Sequence, residues 1–447
     1  MLRVKKVSLG TATGMVIANM IGTGVYTSLG FQLASFSSAA VILALWIIGG
    51  LIALFGSFAY AELACRLPGS GGEYRYMTKI YGRPAGFLTG WISVVAAFAA
   101  PIAAASYAGS RFLLGLLYPE RLSDPVYSQE FCYWVSSGLI LALTVVNLGR
   151  VRFLEIFQNV FVVIKLLLIL GFVVVGFAMA KPQDISFLPH WGDLKEMLRP
   201  EFAISLVFVG YAFSGWNAAT YIANEVEDAN KNLPRALIGG TLVVTVLYVL
   251  LNALFLYSTP ESAMRMKEEV TFIVAQNIFG KSGGNFVSGL IALGLVSAVS
   301  SLIWAGSRVG QAMGQDLTSL RFLAKENGKG RPYRALCVQA IFAIVFLGSM
   351  SFERIMYYLG FLLSLSTFFT VLGLFILRMK DRKVARPAYE ATGFPWTPFI
   401  FLCSNVWILG YLIIKERQAF LISLATLGAG YLFYLLFEAR KNRTALC

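Results

Sequence analysis

The sequence predicts an all-α integral membrane protein with twelve transmembrane helices, and three observations lead to that fold class. The chain of 447 residues is 57% hydrophobic and only 13% charged, a composition typical of proteins that stay in a bilayer. Twelve apolar segments follow one another along the chain, and a helix rising ~1.5 Å per residue can cross the hydrocarbon core within segments of this size. The first and the sixth segments are interrupted near the middle by glycine and polar residues, which predicts two broken helices.

The predicted spans form a single membrane domain, residues 1–447, because no loop is rich enough in Ser, Pro or Gly to separate a soluble unit. Repeat one is expected at roughly 9–180, repeat two at roughly 202–377, and two accessory C-terminal helices at roughly 395–438. The twelve spans cover roughly residues 9–34, 39–63, 84–117, 131–149, 151–180, 202–225, 235–258, 284–314, 335–350, 354–377, 395–414 and 418–438.

Basic residues are distributed unevenly between the two sides of this topology. The side that holds both termini carries more than twice as many Lys and Arg residues as the other side. Both termini are therefore predicted to be cytoplasmic, in a plasma or cell inner membrane. The excess of Lys and Arg on the cytoplasmic side also explains the formal charge of +14. We therefore expect these residues to contact membrane lipid, and we expect no binding of nucleic acid. Residues 2–6 lead directly into a full-length span, so no cleavable signal peptide is predicted.

Enzyme and channel functions are disfavoured by the reactive residues that the chain carries. His190 is the single histidine and lies in a loop, which argues against a His-based metal site or a Ser-His-Asp triad. No metal or cofactor is expected, and a channel would need a repeated filter sequence or a charged ring. The five cysteines show neither paired spacing nor a metal-binding pattern: Cys65, Cys132, Cys337, Cys403 and Cys447.

The first break lies where Gly22 and Gly24 flank Thr23, each glycine costing ~1 kcal/mol of helix propensity. In lipid, an interrupted helix is tolerated where protein or a water-filled cavity receives the freed backbone groups. If the helix unwinds here, the N–H groups of its second half suit an anion, and the carbonyls of Met20 and Ile21 suit a cation. Close helix packing explains the two glycines equally well on this stretch alone.

The second break lies in the sixth span, where Ser214, Gly215, Trp216 and Asn217 interrupt the apolar run. Five spans separate the two breaks, and this odd number of crossings gives the two units opposite orientations. Broken helices at corresponding positions of inverted repeats mark a binding site near the bilayer midplane. The pair of breaks therefore favours unwinding over simple close packing.

Several motifs in spans one to ten can be set out in chain order: Ile21-Gly22-Thr23-Gly24, Tyr60-Ala61-Glu62-Leu63, Pro68-Gly69-Ser70-Gly71-Gly72-Glu73-Tyr74, Phe213-Ser214-Gly215-Trp216-Asn217, Asn224-Glu225 and Asn232-Leu233-Pro234-Arg235-Ala236. Together they resemble the amino acid–polyamine–organocation (APC) transporter superfamily and, within it, the L-type amino-acid transporter (LAT) family. The Phe-Ser-Gly-Trp-Asn and Asn-Leu-Pro-Arg-Ala pair is more specific to the L-type branch than the glycine motif.

The resemblance implies a LeuT-like fold of five plus five helices in inverted repeats, working by alternating access. It implies that N–H groups at the first break hold a substrate carboxylate, that carbonyls at both breaks hold its ammonium, and that Tyr211 is an aromatic gate. Heteromeric relatives carry a cysteine between spans three and four; residues 118–130 contain none, so no disulfide-linked heavy chain is expected. The implied substrate-binding residues are Met20, Ile21, Gly22, Thr23, Gly24, Val25, Tyr211, Ala212, Ser214 and Asn217.

Lys165 lies halfway along the fifth predicted span, where insertion costs ~2.5–3.5 kcal/mol and favours a protein-facing side chain. One explanation is a structural brace that bonds to carbonyls. The resemblance implies instead that the ammonium occupies the region where sodium-coupled relatives bind an ion, with Ser300 or Ser301 as its neighbours rather than as sodium ligands. Sodium-independent transport follows, with a fixed cation and exchange favoured over a proton switch and symport.

The function that the resemblance implies is secondary-active exchange of small or medium neutral L-amino acids. Residues 19–26 and 211–217 contain no Asp or Glu that could receive a second positive charge, which favours neutral substrates. A proton-coupled amino-acid symporter is the alternative, and a non-transporting amino-acid sensor on the same fold is a further one.

Overall fold

The computed structural model describes residues 6–121, 124–348, 352–380 and 387–439. Regular structure in these residues is helical apart from one isolated bridge between Val7 and Val226, which confirms the predicted all-α class. The α-helices are α1 (Leu9–Met20), α2 (Gly24–Gln32), α3 (Ala39–Arg66), α4 (Glu73–Tyr81), α5 (Arg83–Ile92), α6 (Ala99–Leu117), α7 (Pro125–Asn147), α8 (Val151–Met179), α9 (Trp191–Met197), α10 (Pro200–Ala212), α11 (Ala229–Ser258), α12 (Glu261–Met264), α13 (Val270–Asp316), α14 (Tyr333–Leu347), α15 (Phe352–Lys380), α16 (Trp396–Lys415) and α17 (Arg417–Phe433). Short 3₁₀ or π-helical segments lie at Ser93–Ala97, Pro119–Arg121, Ala218–Glu225, Thr318–Ala324 and Tyr434–Ala439.

The described part of the chain contains nine helices long and apolar enough to cross a membrane. The helices α10 and α14 are apolar but shorter. At 47 residues α13 exceeds the thickness of a bilayer, and it changes direction at Gly280, where φ is +72°. The protein is therefore a multi-pass integral membrane protein.

Both interrupted spans are broken where the sequence places polar residues and glycine. The helix α1 ends at Met20, and α2 begins at Gly24 after a three-residue gap. The helix α10 ends at Ala212, and the chain resumes as the 3₁₀ segment Ala218–Glu225. Among the other helices, α11 packs along α1 and α3, α13 packs along α6 and α8, and both α8 and α13 also contact α1.

Short polar side chains begin several of the helices. Ser8 accepts a hydrogen bond from the backbone N–H of Thr11 at the start of α1, and Ser38 does the same at the start of α3. Asp124 accepts from two N–H groups at the start of α7, where Pro125 occupies the first turn. Such caps satisfy N–H groups that have no intrahelical acceptor.

The turn between α3 and α4 requires glycine. Gly69, Gly71 and Gly72 have φ of +133°, +108° and +52°, which residues with a Cβ rarely adopt. A Cβ on Gly72 would lie 2.5 Å from the ring of Tyr221, and the Gly71 N–H donates to the Tyr221 carbonyl at 3.2 Å. The turn thus docks on the segment that follows the second break and brings the next residue, Glu73, to that break.

Candidate functional site at the two helix breaks

The two breaks pack against each other in the core. A Cβ on Gly24, the first residue of α2, would lie 2.6 Å from the Cα of Ala212, the last residue of α10. A Cβ on Gly215, which lies within the second break, would lie 2.6 Å from the Cβ of Asn19 in the last turn of α1. The contact is reciprocal, because a glycine within or directly after each break touches the end of the first half of the other span.

Two side chains from other helices bond to backbone carbonyl groups at the breaks, and the Met20 carbonyl also accepts from the Gly22 N–H at 2.8 Å. The hydroxyl of Tyr248 on α11 lies 2.6 Å from the carbonyl oxygen of Met20 and 3.0 Å from that of Ala212. The ammonium of Lys165 on α8 donates to the carbonyl oxygen of Ile21 at 2.8 Å. These carbonyls lie at helix ends, where intrahelical donors are missing.

The start of α2 presents the first N–H groups of a helix, at Thr23, Gly24 and Val25. These groups have no intrahelical acceptor and lie at the positive end of the helix dipole. All three residues are buried. The hydroxyls of Thr23 and Tyr211 lie 3.5 Å apart, so an aromatic side chain from the second break covers the start of α2.

The second break is stabilised largely by its own backbone. The Ser214 N–H donates to the Tyr211 carbonyl at 2.9 Å, and the Ala218 N–H donates to the Gly215 carbonyl at 2.9 Å. Gly215 has φ of +100°, which allows the chain to reverse between these two turns. Asn217 follows, and its side-chain amide donates to the Glu73 carboxylate and to the Tyr221 hydroxyl.

A cavity of about 120 Å³ lies beside the second break. Its wall includes Asn19, Tyr211, Ser214 and Asn217, whereas the N-terminal residues of α2 are not part of it. The last turn of α1 and the second break therefore both reach this cavity, and Tyr211, which lines it, also contacts Thr23 at the start of α2.

A second cavity, of about 680 Å³, begins at Thr27, one turn beyond Thr23 on α2. Its wall is formed mainly by α6 and α13 and is rich in charged groups. Arg111 and Glu269 form an ion pair across it at 2.7 Å. Thr23 and Tyr211 are not part of its wall, and the Thr27 hydroxyl donates to the Thr23 carbonyl at 3.1 Å.

Ser300 and Ser301 on α13 bond to asparagines. The amide of Asn147 donates to the Ser300 hydroxyl at 3.2 Å, and the amide of Asn19 donates to the Ser301 hydroxyl. Neither serine is hydrogen-bonded to Lys165 within the described ranges. The two serines thus brace α1 and α7 against α13 around the lysine.

Glu225, at the end of the second interrupted span, is neutralised by two arginines. Arg308 lies 2.5 Å and Arg331 lies 3.4 Å from its carboxylate oxygens. The Arg331 guanidinium also stacks over the ring of Trp304 at 5.3 Å. Burial and the neighbouring Arg308 lower the pKa of Arg331 to about 10, so this guanidinium remains charged at neutral pH.

Glu73, the first residue of α4, is a second buried acid, and it bonds only to neutral groups. Its Oε1 accepts from the Tyr60 hydroxyl at 2.8 Å and from the Asn217 amide at 2.8 Å, and its Oε2 accepts from the Ser366 hydroxyl. Its side chain lines the smaller cavity. Burial raises the pKa of the Glu73 carboxyl, against the opposing effect of its hydrogen bonds.

Sequence reasoning missed Tyr248 and Glu73. Tyr248 lies in an otherwise apolar run of α11, where a single tyrosine gives no sign of its partners. Glu73 directly follows the glycine-rich turn. Three glycines in this turn indicate a close contact with another segment, and this was the signal in the sequence that the next residue could be buried. No group of three or more His, Cys, Asp or Glu residues that could bind a metal occurs in the residues that the structure describes.

Comparisons with known proteins identify the family of this chain. A family model described as "Amino acid permease" matches residues 7–436. The chain is 27% identical over 443 residues to the large neutral amino acids transporter small subunit 2 of Mus musculus, covering 97% of this chain and 81% of the relative. It is 27% identical over 422 residues to the Asc-type amino acid transporter 1 of Mus musculus, covering 92% and 77%.

A bacterial relative aligns over almost its full length. The chain is 25% identical over 445 residues to the serine/threonine exchanger SteT of Bacillus subtilis, covering 98% of each protein. The family match covers nearly the whole chain, including both breaks, Lys165 and Glu73. The protein therefore belongs to the amino acid permease family, in the APC superfamily with the L-type transporters, and it is a membrane transporter rather than an enzyme.

Proposed function

We propose that this protein is a secondary-active, sodium-independent exchanger of small or medium neutral L-amino acids. Relatives named for large neutral amino acids and for serine/threonine exchange align over nearly the whole chain and support this substrate class. The observation that carries the proposal is the reciprocal packing of the two breaks, which brings helix-end donors and acceptors together in one place.

The proposed site separates the two charges of an amino acid. The N–H groups of Thr23, Gly24 and Val25 hold the carboxylate, because the start of a helix suits an anion. The carbonyls at the ends of α1 and α10 hold the ammonium. Each carbonyl oxygen has two lone pairs, so that of Ile21, which accepts from Lys165, and that of Ala212, which accepts from Tyr248, can each also accept from the substrate. The Met20 carbonyl already accepts from both Tyr248 and the Gly22 N–H, so it would have to exchange one of these bonds for the substrate.

Tyr211 is the proposed gate. Its hydroxyl contacts that of Thr23, its side chain lines the smaller cavity, and the larger cavity begins one turn beyond Thr23. Movement of this ring would connect the two cavities and admit the substrate. Asn217 and Ser214, in the wall of the smaller cavity, are placed to contact the substrate from the second break.

We further propose twelve spans, two inverted repeats at roughly 9–180 and 202–377, and accessory helices at roughly 395–438 within a single transporter domain. The reciprocal contacts of Gly24 and Gly215 support this, because inverted repeats relate the two breaks by a two-fold axis. Both termini are proposed to be cytoplasmic, in a plasma or cell inner membrane, from the distribution of Lys and Arg.

A neutral substrate fits the charges around the breaks. The broken segments contain no acid, and the cavity's one acidic wall residue within the described ranges, Glu73, is occupied by three hydrogen bonds. An unpaired second ammonium would cost several kcal/mol at this depth. Unlabelled arginine should therefore compete poorly with labelled serine or leucine, and competition by arginine at the concentrations needed for alanine would contradict neutral selectivity.

Exchange without sodium follows from the position of Lys165. Its ammonium lies on the Ile21 carbonyl at the first break, where it places a positive charge that belongs to the protein. Replacing sodium with choline in a proteoliposome assay should leave the exchange rate unchanged, and a strong sodium requirement would overturn this part of the proposal. Proton-coupled symport is the second candidate, because Lys165 has no acidic partner among the described residues; uphill uptake driven by a pH gradient alone would favour it.

A counterflow screen against the twenty amino acids tests the proposed function directly. Liposomes loaded with one unlabelled neutral amino acid should accumulate the same labelled amino acid. A sensor would bind the amino acid and show no counterflow. The proposal includes no disulfide-linked heavy chain, because residues 118–130 contain no cysteine and Cys132 is buried.

A further inference from the structure

We propose that Glu73 is a proton-binding site of this transporter, which takes up a proton when the protein closes around it and releases the proton when the smaller cavity opens to water. The proposal goes beyond the proposed function, since exchange of neutral zwitterions needs no proton. It rests on the contacts of one carboxyl group with three elements other than its own helix.

The Glu73 carboxyl joins separate elements around the smaller cavity. It lies on α4, and it accepts hydrogen bonds from Tyr60 on α3, Asn217 in the second break and Ser366 on α15. The residue is 2% exposed. Since Asn217 and Glu73 both line the smaller cavity, water that fills this cavity would contact the bond between them.

No cation compensates a negative charge at this position within the described ranges. The titratable groups that face it are three tyrosines, Tyr60 on α3, Tyr76 on its own helix and Tyr221 after the second break. The α15 side contributes only the Ser366 hydroxyl. An ionised carboxylate without a cation is costly to bury, so this environment favours the protonated acid.

The hydrogen bonds around Glu73 accommodate both forms of the acid. The Asn217 amide can only donate, so Oε1 remains an acceptor. Ser366 carries a hydroxyl that can donate to an ionised Oε2 or accept from a protonated one after rotating its hydrogen. A proton can therefore arrive from cavity water at Oε2 and leave by the same route without breaking the other two bonds.

The direction of the pH effect follows from burial. Burial raises the pKa of Glu73 in the arrangement seen here, whereas contact with water would return it toward its ordinary value of 4.5. The state with the higher pKa binds protons more tightly, so acid stabilises the closed arrangement. That stabilisation is complete below the ordinary pKa and is lost as the pH rises through the raised pKa.

Infrared difference spectroscopy of the purified protein tests proton binding without any transport. Raising the pH should remove a protonated-carboxyl C=O band from the parent protein, and Glu73→Gln should lack that band. Tyr60→Phe removes one donor to the carboxylate, so it should raise the titration midpoint by about half a pH unit, a roughly threefold change in proton affinity. Tyr358→Phe, whose hydroxyl bonds to Thr426 elsewhere, should leave the midpoint in place.

Exchange of labelled L-serine in proteoliposomes tests the link to the transport cycle. The parent rate should change at least about fivefold between pH 5 and 8, and Glu73→Gln should reduce that change below about twofold. Glu73→Asp should restore a pH-dependent rate. A carboxyl that stays ionised throughout this range in the spectra, or a Glu73→Gln profile that parallels the parent profile, would overturn the proposal. Failure of serine exchange in the parent would count against the proposed function alone, because the spectra test Glu73 separately.

Discussion

The two breaks differ in what holds their backbone. At the first break, the carbonyls of Met20 and Ile21 are bonded by Tyr248 and Lys165, which come from α11 and α8. At the second break, three turn hydrogen bonds within residues 211–218 hold the chain. The first break has one such local bond, from the Gly22 N–H to the Met20 carbonyl, so it depends more on distant side chains than the second break does.

The two breaks are therefore sensitive to substitutions in different parts of the chain. The Tyr248 hydroxyl is the exception that connects them, because it also reaches the Ala212 carbonyl at the second break. Substitutions on α8 and α11 should disturb the first break without altering its own sequence. The second break should respond mainly to changes within itself.

The largest expected effect is that of Gly24→Val. Its Cβ would overlap the Ala212 backbone at 2.6 Å, so α2 and α10 would have to separate. Overpacking of this kind costs ~1–3 kcal/mol and would deform the N–H groups proposed to bind the carboxylate. We expect substrate binding to be lost while the protein still inserts and elutes as a single species in size-exclusion chromatography.

Gly22→Ala is the matched control. An added Cβ there meets nothing closer than the Met20 carbonyl at 4.0 Å, and Gly22 does not have a left-handed φ. Binding should stay within about threefold of the parent, because a single methyl group finds open space. Near-normal affinity in Gly24→Val would remove the first break from the substrate site.

Lys165→Ala should have the next largest effect. Removing the ammonium leaves the Ile21 carbonyl without its cation, and we expect exchange to fall at least about tenfold. The unfolding temperature should not fall in proportion, because burying a cation without an acidic partner is itself costly. Lys165→Met keeps most of the side-chain volume, so equal loss in both variants would assign the effect to charge, and normal exchange in Lys165→Met would contradict it.

Tyr248→Phe should have a smaller effect that is shared by the two breaks. It removes one hydroxyl that lies 2.6 Å and 3.0 Å from the carbonyls of Met20 and Ala212. A lost hydrogen bond is worth ~1 kcal/mol, so the apparent affinity should fall by about fivefold. Tyr358→Phe is the control, since its hydroxyl bonds to Thr426. Identical uptake curves for both variants would show that Tyr248 does not support the breaks.

Ser214→Asp is expected to have the smallest effect on overall rate and to change selectivity. Ser214 lines the smaller cavity at the second break, where the parent chain has no acid in the broken segment. A carboxylate there would provide a partner for a second ammonium. Competition by arginine against labelled serine should improve at least about threefold, a gain of ~0.7 kcal/mol. Unchanged competition would place Ser214 away from the substrate side chain.

The sequence predicted the positions of both breaks, because glycine and polar residues inside an apolar run act locally. The ends at Met20 and Ala212 lie within the predicted segments. It did not predict the side chains that hold those ends: Tyr248 lies more than two hundred residues from Met20, and only packing brings them together. The sequence likewise did not predict that Glu73 lines a cavity. Its burial requires α3, α15 and the second break to meet at one carboxyl group, and only the folded structure brings these elements together.

The lysine at the first break has an electrical consequence for the proposed exchanger. A sodium ion that travels with a substrate carries its charge across the membrane, and each charge moved through 100 mV is worth ~2.3 kcal/mol. The ammonium of Lys165 is attached to α8 and stays with the protein while zwitterions pass. One neutral amino acid leaves for each that enters, so the membrane potential neither drives nor opposes the cycle, and the concentrations of amino acids on the two sides alone determine its direction.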